Sequence, residues 1–405
     1  MRVLIINTLW KGASTGKIAM GLYHKLIEHG HQAILVYGDG RIRSEDENVK
    51  SIDTHYEIEF HRYINKILGY HGTFAPNAMR RLKDIFEDFR PDIVQLYNLH
   101  GHYIDIYGLF AYLKKNHYAT VYGMLDEHPY LGYCCYSYEC NQFKTGCKNC
   151  SSIERSGYIG SWFFNRARKT FLMKEKAYSN FDNLIFTGPE WVIKRARESL
   201  LLRDKHLEIL DEFIDTDIVF TPKETTEFRK KLEISSDSIV ILNVAPSRDN
   251  RKGVHFYIEL AKMFEGQKYV FINVGYSGAT DTLPSNYLPI QYISNQDELA
   301  LYYSMADLLV CTSIADTMPN VCLDALACGT PVCGFNITGI PYVADYPLGK
   351  FAAVGDLEAL YHIVSNVSEK NQTTIEMCRR YAKQRYSPET YYNNTMRIYR
   401  MLCTR

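Results

Sequence analysis

Two aspartates, Asp316 and Asp324, stand eight positions apart in the segment Ser313–Asn336. An apolar run of strand length, Leu308–Cys311, precedes them, and a helical pattern follows. Free N–H groups at a helix start favour phosphate, and carboxylates accept hydrogen bonds from hydroxyl groups. Because α/β sheets bind ligands beyond the carboxyl ends of their strands, the segment predicts a site for a ligand with phosphates and many hydroxyls, such as a sugar nucleotide. The alternative is that Asp316 only caps a helix and Asp324 is solvated.

Three basic residues, Arg248, Arg251 and Lys252, lie on one loop after the predicted strand Ser238–Val244. A lysine or arginine near a leaving diphosphate stabilises the charge that develops as a glycosidic C–O bond breaks. The loop therefore predicts a phosphate-binding partner for the acidic pair, unless its charges only form a solvated surface.

A glycine loop from Gly12 to Gly16 follows the first predicted strand, Arg2–Asn7. Its spacing is not the Gly-x-Gly-x-x-Gly fingerprint, so the sequence does not support NAD binding. The loop either lets a ligand approach the backbone near Gly16 or is a plain tight turn.

Polar residues also follow two later strands. His100 lies in the run Asn98-Leu99-His100-Gly101-His102, after the predicted strand Pro91–Tyr97, and Asp126 follows the predicted strand Ala119–Leu125. His128 lies two positions further on, and a lone histidine such as His100 or His128 is more often structural.

Five of the eleven cysteines lie within one short segment. Cys147-x-x-Cys150 has the spacing of a zinc knuckle, and thiolates suit the four tetrahedral positions that zinc requires. We therefore predict a structural zinc site from Cys134 (or Cys135), Cys140, Cys147 and Cys150. The alternative is a loop of reduced cysteines, or one disulfide formed on purification.

The composition excludes several classes of protein. Basic and acidic residues balance at 46 each, so charge gives no general attraction to nucleic acid. No run reaches the roughly 18 apolar residues of a membrane span, and the N-terminus lacks a signal-peptide pattern, so we expect a cytoplasmic protein with reduced thiols. The segment Ser161–Lys169 mixes aromatic and basic residues, and it is either a membrane-contacting surface or a packed helix with a solvated basic face.

Strand and helix patterns alternate along the whole chain and must position these residues. The alternation predicts an α/β fold with parallel sheets, and 405 residues favour two domains. It pauses over Ile214–Lys230, which we interpret as the linker, and then resumes, with one later strand predicted at Ile290–Ile293.

Several of these motifs resemble family 4 glycosyltransferases, which have the GT-B fold. The acidic pair followed by Ala325-Leu326-Ala327-Cys328-Gly329 resembles that family's Glu-x7-Glu motif and helix, and Lys252-Gly253 matches its Lys-Gly. Asn98-Leu99-His100-Gly101 and Phe143-Lys144-Thr145-Gly146-Cys147 are similar to runs in a bacterial exopolysaccharide branch, of the colanic-acid type, that carries a cysteine-rich insertion.

The sequence departs from the family pattern at several places. Aspartates replace both glutamates, Ser247 replaces an arginine, Leu125 replaces a histidine before Asp126, and Glu212-Phe213 replaces Asn-Gly. Aspartate is one methylene shorter than glutamate, and a misplacement of about 1 Å can cost a rate roughly a hundredfold. The resemblance therefore supports donor binding more strongly than full catalytic activity.

The resemblance implies two Rossmann-like parallel-sheet domains facing a cleft. Its domains would be an N-terminal acceptor domain at 1–215, a nucleotide-sugar donor domain at 216–387, and a last helix at 388–405 that packs back on the first domain.

The resemblance further implies a retaining glycosyltransferase that moves a sugar from a UDP- or GDP-linked donor to a bacterial surface polysaccharide. The acceptor would be lipid-linked, with peripheral membrane contact, and no cofactor would serve catalysis. The implied catalytic residues are Asp316, Lys252, Asp126 and His100. The implied donor-binding residues are Gly16, Arg248, Arg251, Lys252, Asp316, Met318, Asn320 and Asp324. The alternatives are a catalytically weakened sugar-nucleotide-binding protein, or a GT-B epimerase or phosphorylase.

Overall fold

The structure, a computed structural model, describes residues 1–403 except 13, 39, 42, 149 and 151–160. The chain divides into two compact units, unit 1 with Met1–Glu212 and Tyr391–Arg405, and unit 2 with Phe213–Thr390. Residues 404 and 405 of the predicted last helix lie outside the described residues.

Unit 1 is built on a parallel sheet. Its described strands are β1 (Arg2–Asn7), β2 (Gln32–Tyr37), β3 (Val49–Ser51), β4 (Ile93–Leu96), β5 (Thr120–Gly123), β6 (Leu184–Gly188) and β7 (His206–Ile209). They pair in the order β3-β2-β1-β4-β5-β6-β7, and every pairing is parallel. The apolar run of β1 is buried from Val3 onward, as expected for a central strand covered on both faces.

Parallel strands require crossover connections, and helices supply most of them in unit 1. The described helices are α1 (Ser14–Glu28), α2 (His55–Leu68), α3 (Pro76–Phe89), α4 (Ile106–Lys115), α5 (Ala167–Tyr178) and α6 (Glu190–Glu198). Their starts follow local capping chemistry: Thr54 and Glu57 form a capping box at α2, and the Asp105 carboxylate accepts the Gly108 N–H at α4.

Unit 2 repeats the same architecture. Its described strands are β8 (Ile239–Val244), β9 (Tyr269–Val274), β10 (Tyr287–Ile290), β11 (Leu308–Cys311), β12 (Val332–Phe335) and β13 (Gly349–Ala352). They pair in parallel in the order β10-β9-β8-β11-β12-β13. The described helices are α7 (Thr226–Lys231), α8 (Val254–Lys262), α9 (Gln296–Met305), α10 (Asn320–Ala327), α11 (Leu357–Ser365) and α12 (Gln372–Tyr386).

The last helix, α13 (Pro388–Cys403), begins in unit 2 and continues in unit 1. Within unit 1 the Tyr399 hydroxyl donates to Gln95 Oε1 at 2.9 Å, and the Tyr391 and Tyr97 hydroxyls lie 2.7 Å apart. These buried hydrogen bonds tie the end of the chain to the β4 strand region.

Each sheet reverses its strand order at its centre, between β1 and β4 in unit 1 and between β8 and β11 in unit 2. The connections leave such a switch point in opposite directions, so the carboxyl ends of the two strands border a crevice where ligands bind. In unit 2 this brings together the loops that follow β8 and β11.

The predicted α/β class with two parallel-sheet domains is confirmed, whereas three local predictions need correction. The strand expected at Ile290–Ile293 lies at Tyr287–Ile290, because these residues pair in register with β9. The predicted linker contains five of the six residues of α7, since that helix begins at Thr226. The segment from Ser161 is not a packed helix, since α5 begins at Ala167 and the preceding Trp162 is 58% exposed. Among the described residues, no helix has the length and apolar character needed to cross a bilayer.

Candidate functional site

The switch point of unit 2 holds an ion pair between two of the predicted site residues. Lys252 Nζ, on the loop after β8, donates to Asp316 Oδ2, on the loop after β11, at 2.6 Å. Arg251 Nη1 lies 3.5 Å from the same carboxylate oxygen. The tertiary structure thus joins residues that are 64 positions apart into one group of two cations and one anion.

The Lys252 loop is held in a conformation that requires glycine. Asp249 accepts the Arg251 N–H at 3.0 Å, which caps a short 3₁₀ turn, and Gly253 then takes φ +62°. A Cβ on Gly253 would lie 2.1 Å from the Thr312 carbonyl oxygen, so any side chain would push the loop away from β11. The Lys-Gly pair is therefore explained by packing: the glycine lets the lysine's backbone approach the neighbouring strand.

The backbone of Asp316 is fixed independently of its side chain. Its N–H donates to Thr338 Oγ1 at 3.0 Å, and its carbonyl oxygen accepts the Gly339 N–H at 2.9 Å. A Cβ on Gly339 would lie 1.7 Å from the Thr317 carbonyl oxygen, so this second loop also needs glycine for close approach. Asp316 is only 9% exposed, and its carboxylate is aimed at the two cations rather than at a helix cap.

Helix α10 begins directly after this loop, with Pro319 as its N-cap and no side-chain cap. Met318 and Asn320 flank that start, and Met318 is buried in the unit 2 core. Asp324 lies within the helix and is 9% exposed, so it is not a solvated side chain. Burial and the neighbouring Asp324 carboxylate hold the pKa of Tyr303 well above its usual range.

The third basic residue of the loop lies apart from this group. The Arg248 side chain is exposed, whereas Arg251 donates to the Ala315 carbonyl at 2.8 Å and to Asp249 at 3.1 Å. Of the two arginines predicted for the site, Arg251 is therefore the one beside Asp316.

Unit 1 has its own switch point, bordered by the loops after β1 and β4. The Thr8 hydroxyl contacts the carbonyl oxygens of Asn98 at 2.7 Å and His100 at 3.0 Å, which ties the two loops together. Gly16 lies in the first turn of α1, and a Cβ there would lie 3.2 Å from the Lys11 nitrogen. The glycine loop is thus packed against the start of its own helix.

His100 and Asp126, both predicted as catalytic residues, are in direct contact. His100 Nε2 lies 2.5 Å from Asp126 Oδ2, and Asp126 Oδ1 accepts the His128 N–H at 2.9 Å. Burial opposes protonation of His100, but Cys135 and Asp126 nearby hold its pKa well above the usual range. The sequence indicated Cys135 only as an alternative zinc ligand, and it gave no signal that Cys135 lies close to His100.

The predicted zinc quartet surrounds one small cavity. Cys134, Cys140, Cys147 and Cys150 all line a cavity of about 20 Å³, and none of them forms a disulfide. Burial and the neighbouring Cys150 thiol hold the pKa of Cys134 well above its ordinary value. The described part of the chain contains sets of potential metal ligands whose ligand atoms all lie within 4.8 Å of one another. The four sulfur atoms of the quartet, however, do not form such a set among the described residues.

Three residues that position the unit 2 site were missed by sequence reasoning, namely Thr312, Thr338 and Gly339. They act through backbone contacts across the sheet, which leave no motif in the sequence. A small-residue pair just after a predicted strand, as in Thr338-Gly339, was the only signal available.

Comparison with known proteins finds a similar family for the part of the chain that carries this site. Residues 224–386, within unit 2, match the family model described as "Glycosyl transferases group 1". A curated relative, N-acetyl-alpha-D-glucosaminyl L-malate synthase of Bacillus anthracis, is 26% identical over 151 residues. That match covers 36% of this chain and 39% of the relative, so it spans well under two thirds of the relative's length.

Solved structures resemble the whole chain. Sucrose-phosphate synthase from Thermosynechococcus elongatus has a TM-score of 0.70 at 15% identity, with 100% of this chain and 99% of that chain covered. The Anabaena protein HepE in complex with UDP has a TM-score of 0.66 at 13% identity, with 98% of this chain and 99% of that chain covered. The GT-B fold class predicted from the sequence is therefore confirmed.

Proposed function

We propose that this protein is a retaining glycosyltransferase that moves a sugar from a UDP- or GDP-linked donor to a bacterial surface polysaccharide, such as capsule, exopolysaccharide or O-antigen. The observation that carries the proposal is the group of Lys252, Arg251 and Asp316 at the switch point of unit 2, next to the start of α10. The domain match over residues 224–386 and the UDP complex of a protein with the same fold support it.

The charges of the group suit the two halves of such a donor. Lys252 and Arg251 would bind the diphosphate and stabilise its charge as it leaves. Asp316 would accept hydrogen bonds from sugar hydroxyls, Asp324 from the ribose, and the N–H groups around Met318 and Asn320 would complete the phosphate site. This proposal needs no metal for charge neutralisation, because Lys252 and Arg251 would face the diphosphate.

The charges of Lys252 and Asp316 neutralise each other in an ion pair. Lys252 donates to Asp316 at 2.6 Å, so donor binding must turn the ammonium group from the carboxylate toward the diphosphate. The same exchange frees the carboxylate for the sugar. Binding and the release of Asp316 are thus coupled.

Turnover of a panel of UDP- and GDP-sugars tests the proposal, with released nucleotide and transferred sugar measured together. Lys252→Met should lower nucleotide release by about 10²–10³, since a preorganised cation at the leaving group is lost. Lys262→Met is the matched control, because Lys262 lies on α8 in the same unit and forms a surface pair with Glu259. If both variants release nucleotide as fast as the parent, the proposed site is wrong.

The alternatives give different products in the same assay. An epimerase would convert the sugar without releasing free UDP or GDP, and a phosphorylase would require phosphate. A binding protein that has lost activity would show a nucleotide-dependent rise in melting temperature but no turnover.

An exposed aromatic patch supports a lipid-linked acceptor and contact with the inner face of the cytoplasmic membrane. Tyr63 and Trp162 lie with ring centroids 6.0 Å apart, Phe163 is 68% exposed, and the Arg166 guanidinium lies 4.8 Å from the Phe164 ring. Aromatic and basic side chains together suit an anionic bilayer interface.

Vesicle flotation tests this contact. The parent should bind vesicles that contain anionic lipid and not neutral ones, and a variant with Trp162→Ser and Phe163→Ser should lose most of that binding. Tyr292→Ser is the control, because Tyr292 is an exposed tyrosine in unit 2. Equal flotation of the parent and the double variant would rule out this surface.

Structural zinc at the Cys134, Cys140, Cys147 and Cys150 quartet belongs to the same proposal. The four cysteine side chains that line one cavity support it. Metal analysis of freshly purified protein tests it, and a content far below one zinc per chain would remove it.

A further inference from the structure

A second set of potential metal ligands lies in unit 1, and none of its three residues lines the quartet's cavity. His100, Asp126 and Cys135 each contribute one ligand atom, and the three atoms all lie within 4.8 Å of one another. His100 follows β4, Asp126 follows β5, and Cys135 comes from the cysteine segment. Two connections, one after β4 and one after β5, therefore converge on one point beyond the carboxyl ends of adjacent strands.

The loops are held in place by other contacts, so the convergence does not depend on the three side chains alone. The Glu127 N–H donates to the Cys135 carbonyl at 3.0 Å, and the Glu127 carboxylate accepts hydrogen bonds from the Ser137 N–H at 2.8 Å and from the Tyr130 hydroxyl at 2.9 Å. These bonds fix the segment that carries Cys135 next to the one that carries Asp126. A preformed set of ligands held by surrounding hydrogen bonds is typical of metal sites.

Buried histidine rings lie close to one another beside His100. His128 is 1% exposed, and its ring centroid lies 5.1 Å from that of His100. His71, likewise buried, lies 5.2 Å from His128 and 5.1 Å from His102. His128 Nδ1 makes no hydrogen bond within the described part of the chain, and a buried polar atom of this kind calls for a ligand or water as its partner.

The chemistry of the three ligands suits a zinc-class ion. Imidazole nitrogen, carboxylate oxygen and thiolate sulfur are the three donor types that Zn²⁺ takes. One carboxylate and one thiolate neutralise a dication, which matters because an unpaired charge is costly in a buried position. Ligands about 2.0–2.3 Å from a tetrahedral ion lie about 3.3–3.7 Å from one another, so His100 and Asp126 must separate by only about 1 Å from their present contact.

We propose that His100, Asp126 and Cys135 bind a divalent zinc-class cation, with a water molecule as the fourth ligand. The site differs from the cysteine quartet, because Cys134 lines the quartet's cavity and Cys135 does not. Ligation uses the His100 lone pair, so a loaded site excludes His100 as the free catalytic base predicted from the sequence. The proposal does not rest on the proposed transferase activity.

Metal binding to the full chain tests the inference directly. The protein is stripped with a chelator and titrated with Zn²⁺ in competition with a chromophoric chelator. His100→Gln and Cys135→Ser should each lose one equivalent or weaken its binding more than about 100-fold, since even outer-shell changes cost metal sites about 10–100-fold. Cys147→Ser is the control, because it removes a quartet ligand and should leave this equivalent in place.

Co²⁺ gives a second, spectroscopic measurement on the parent and the same variants. The charge-transfer absorption of Co²⁺ bound to the parent should include a site with a single thiolate, and Cys135→Ser should remove that component. The inference is overturned if Cys135→Ser binds as much Zn²⁺ as the parent. It is also overturned if all thiolate absorption in the parent belongs to a four-thiolate site that Cys147→Ser abolishes.

Discussion

The ion pair between Lys252 and Asp316 allows a sharp test of the donor site through Asp316→Asn. The substitution keeps the shape of the side chain and removes its charge. The backbone stays in place, because Thr338 and Gly339 hold the N–H and carbonyl groups of residue 316. The change therefore acts on the carboxylate and its two cations.

The expected effects on stability and rate differ in size. The side chains of Asp316 and Lys252 are 12% and 20% exposed, so solvent screens their hydrogen bond only in part. A hydrogen bond between charged groups is worth about 1.5–3 kcal/mol, and each kcal/mol shifts the melting temperature of a domain of this size by about 2–4 °C. We therefore expect a loss of about 3–12 °C without ligand, and a fall in kcat of about 10²–10³ if the carboxylate acts on the transition state.

Nucleotide affinity is expected to move in the opposite direction. Lys252 and Arg251 both remain in Asp316→Asn, and neither is any longer paired with a carboxylate at position 316. UDP or GDP should therefore bind as tightly as to the parent or more tightly. Calorimetric titration with the nucleotide measures this, and release of nucleotide from the sugar donor measures kcat.

Asp307→Asn is the matched control in the same unit. The Asp307 carboxylate accepts the Val240 N–H at 2.8 Å and the Lys370 N–H at 2.9 Å, at the opposite end of β11 from Asp316. This variant should lose stability but retain kcat. If Asp316→Asn behaves in the same way, with a lower melting temperature and kcat within about threefold of the parent, the pair is only structural and the reasoning fails.

Three further predictions follow from single contacts. Gly253→Ala should lower the free energy of unfolding by about 1–2 kcal/mol, because alanine is strained in the left-handed backbone conformation. The new Cβ, 2.1 Å from the Thr312 carbonyl oxygen, should also displace the loop and lower kcat. Urea unfolding and donor turnover measure the two effects, and parent-like values in both would refute the prediction. Burial lowers the pKa of Lys370 from 10.5 to about 8. Between these two pH values the folded chain binds fewer protons than the unfolded chain, so the free energy of unfolding should rise with pH. Lys370→Met should lack this rise. An equal slope in urea unfolding of both proteins would contradict this. Tyr399→Phe should cost about 1 kcal/mol of unfolding free energy by removing the buried hydrogen bond to Gln95, and no change would show that α13 does not depend on it.

The sequence was sufficient for the local elements because their signals are local. Buried strands such as Arg2–Asn7 and Leu308–Cys311 are continuous apolar runs, and the structure gives them the predicted bounds. Where the signal was weak, as at Ile290–Ile293, the pairing with β9 decided the register, and pairing depends on another part of the chain.

The chemistry of the site was also visible as residue types, but its geometry was not. The acidic pair, the Lys-Gly motif and the polar residues after β4 and β5 all stood out by spacing. Which of them touch could not be predicted, since Lys252 and Asp316 meet only because β8 and β11 are neighbours at the switch point of the sheet. The same holds for Cys135 and His100, which are brought together by loops that follow different strands.

The sequence by itself therefore determined the α/β class and the division into two parallel-sheet domains, and it predicted a set of residues for a phosphorylated, hydroxyl-rich ligand. The tertiary structure alone decided that Arg251 and not Arg248 stands beside Asp316, that Asp324 is buried against Tyr303, and that the four quartet cysteines line one cavity. The physical reason is the range of the interactions. Strand and helix patterns arise from neighbours along the chain, whereas ion pairs, close backbone approaches and ligand sets arise from strand order, which brings distant residues together.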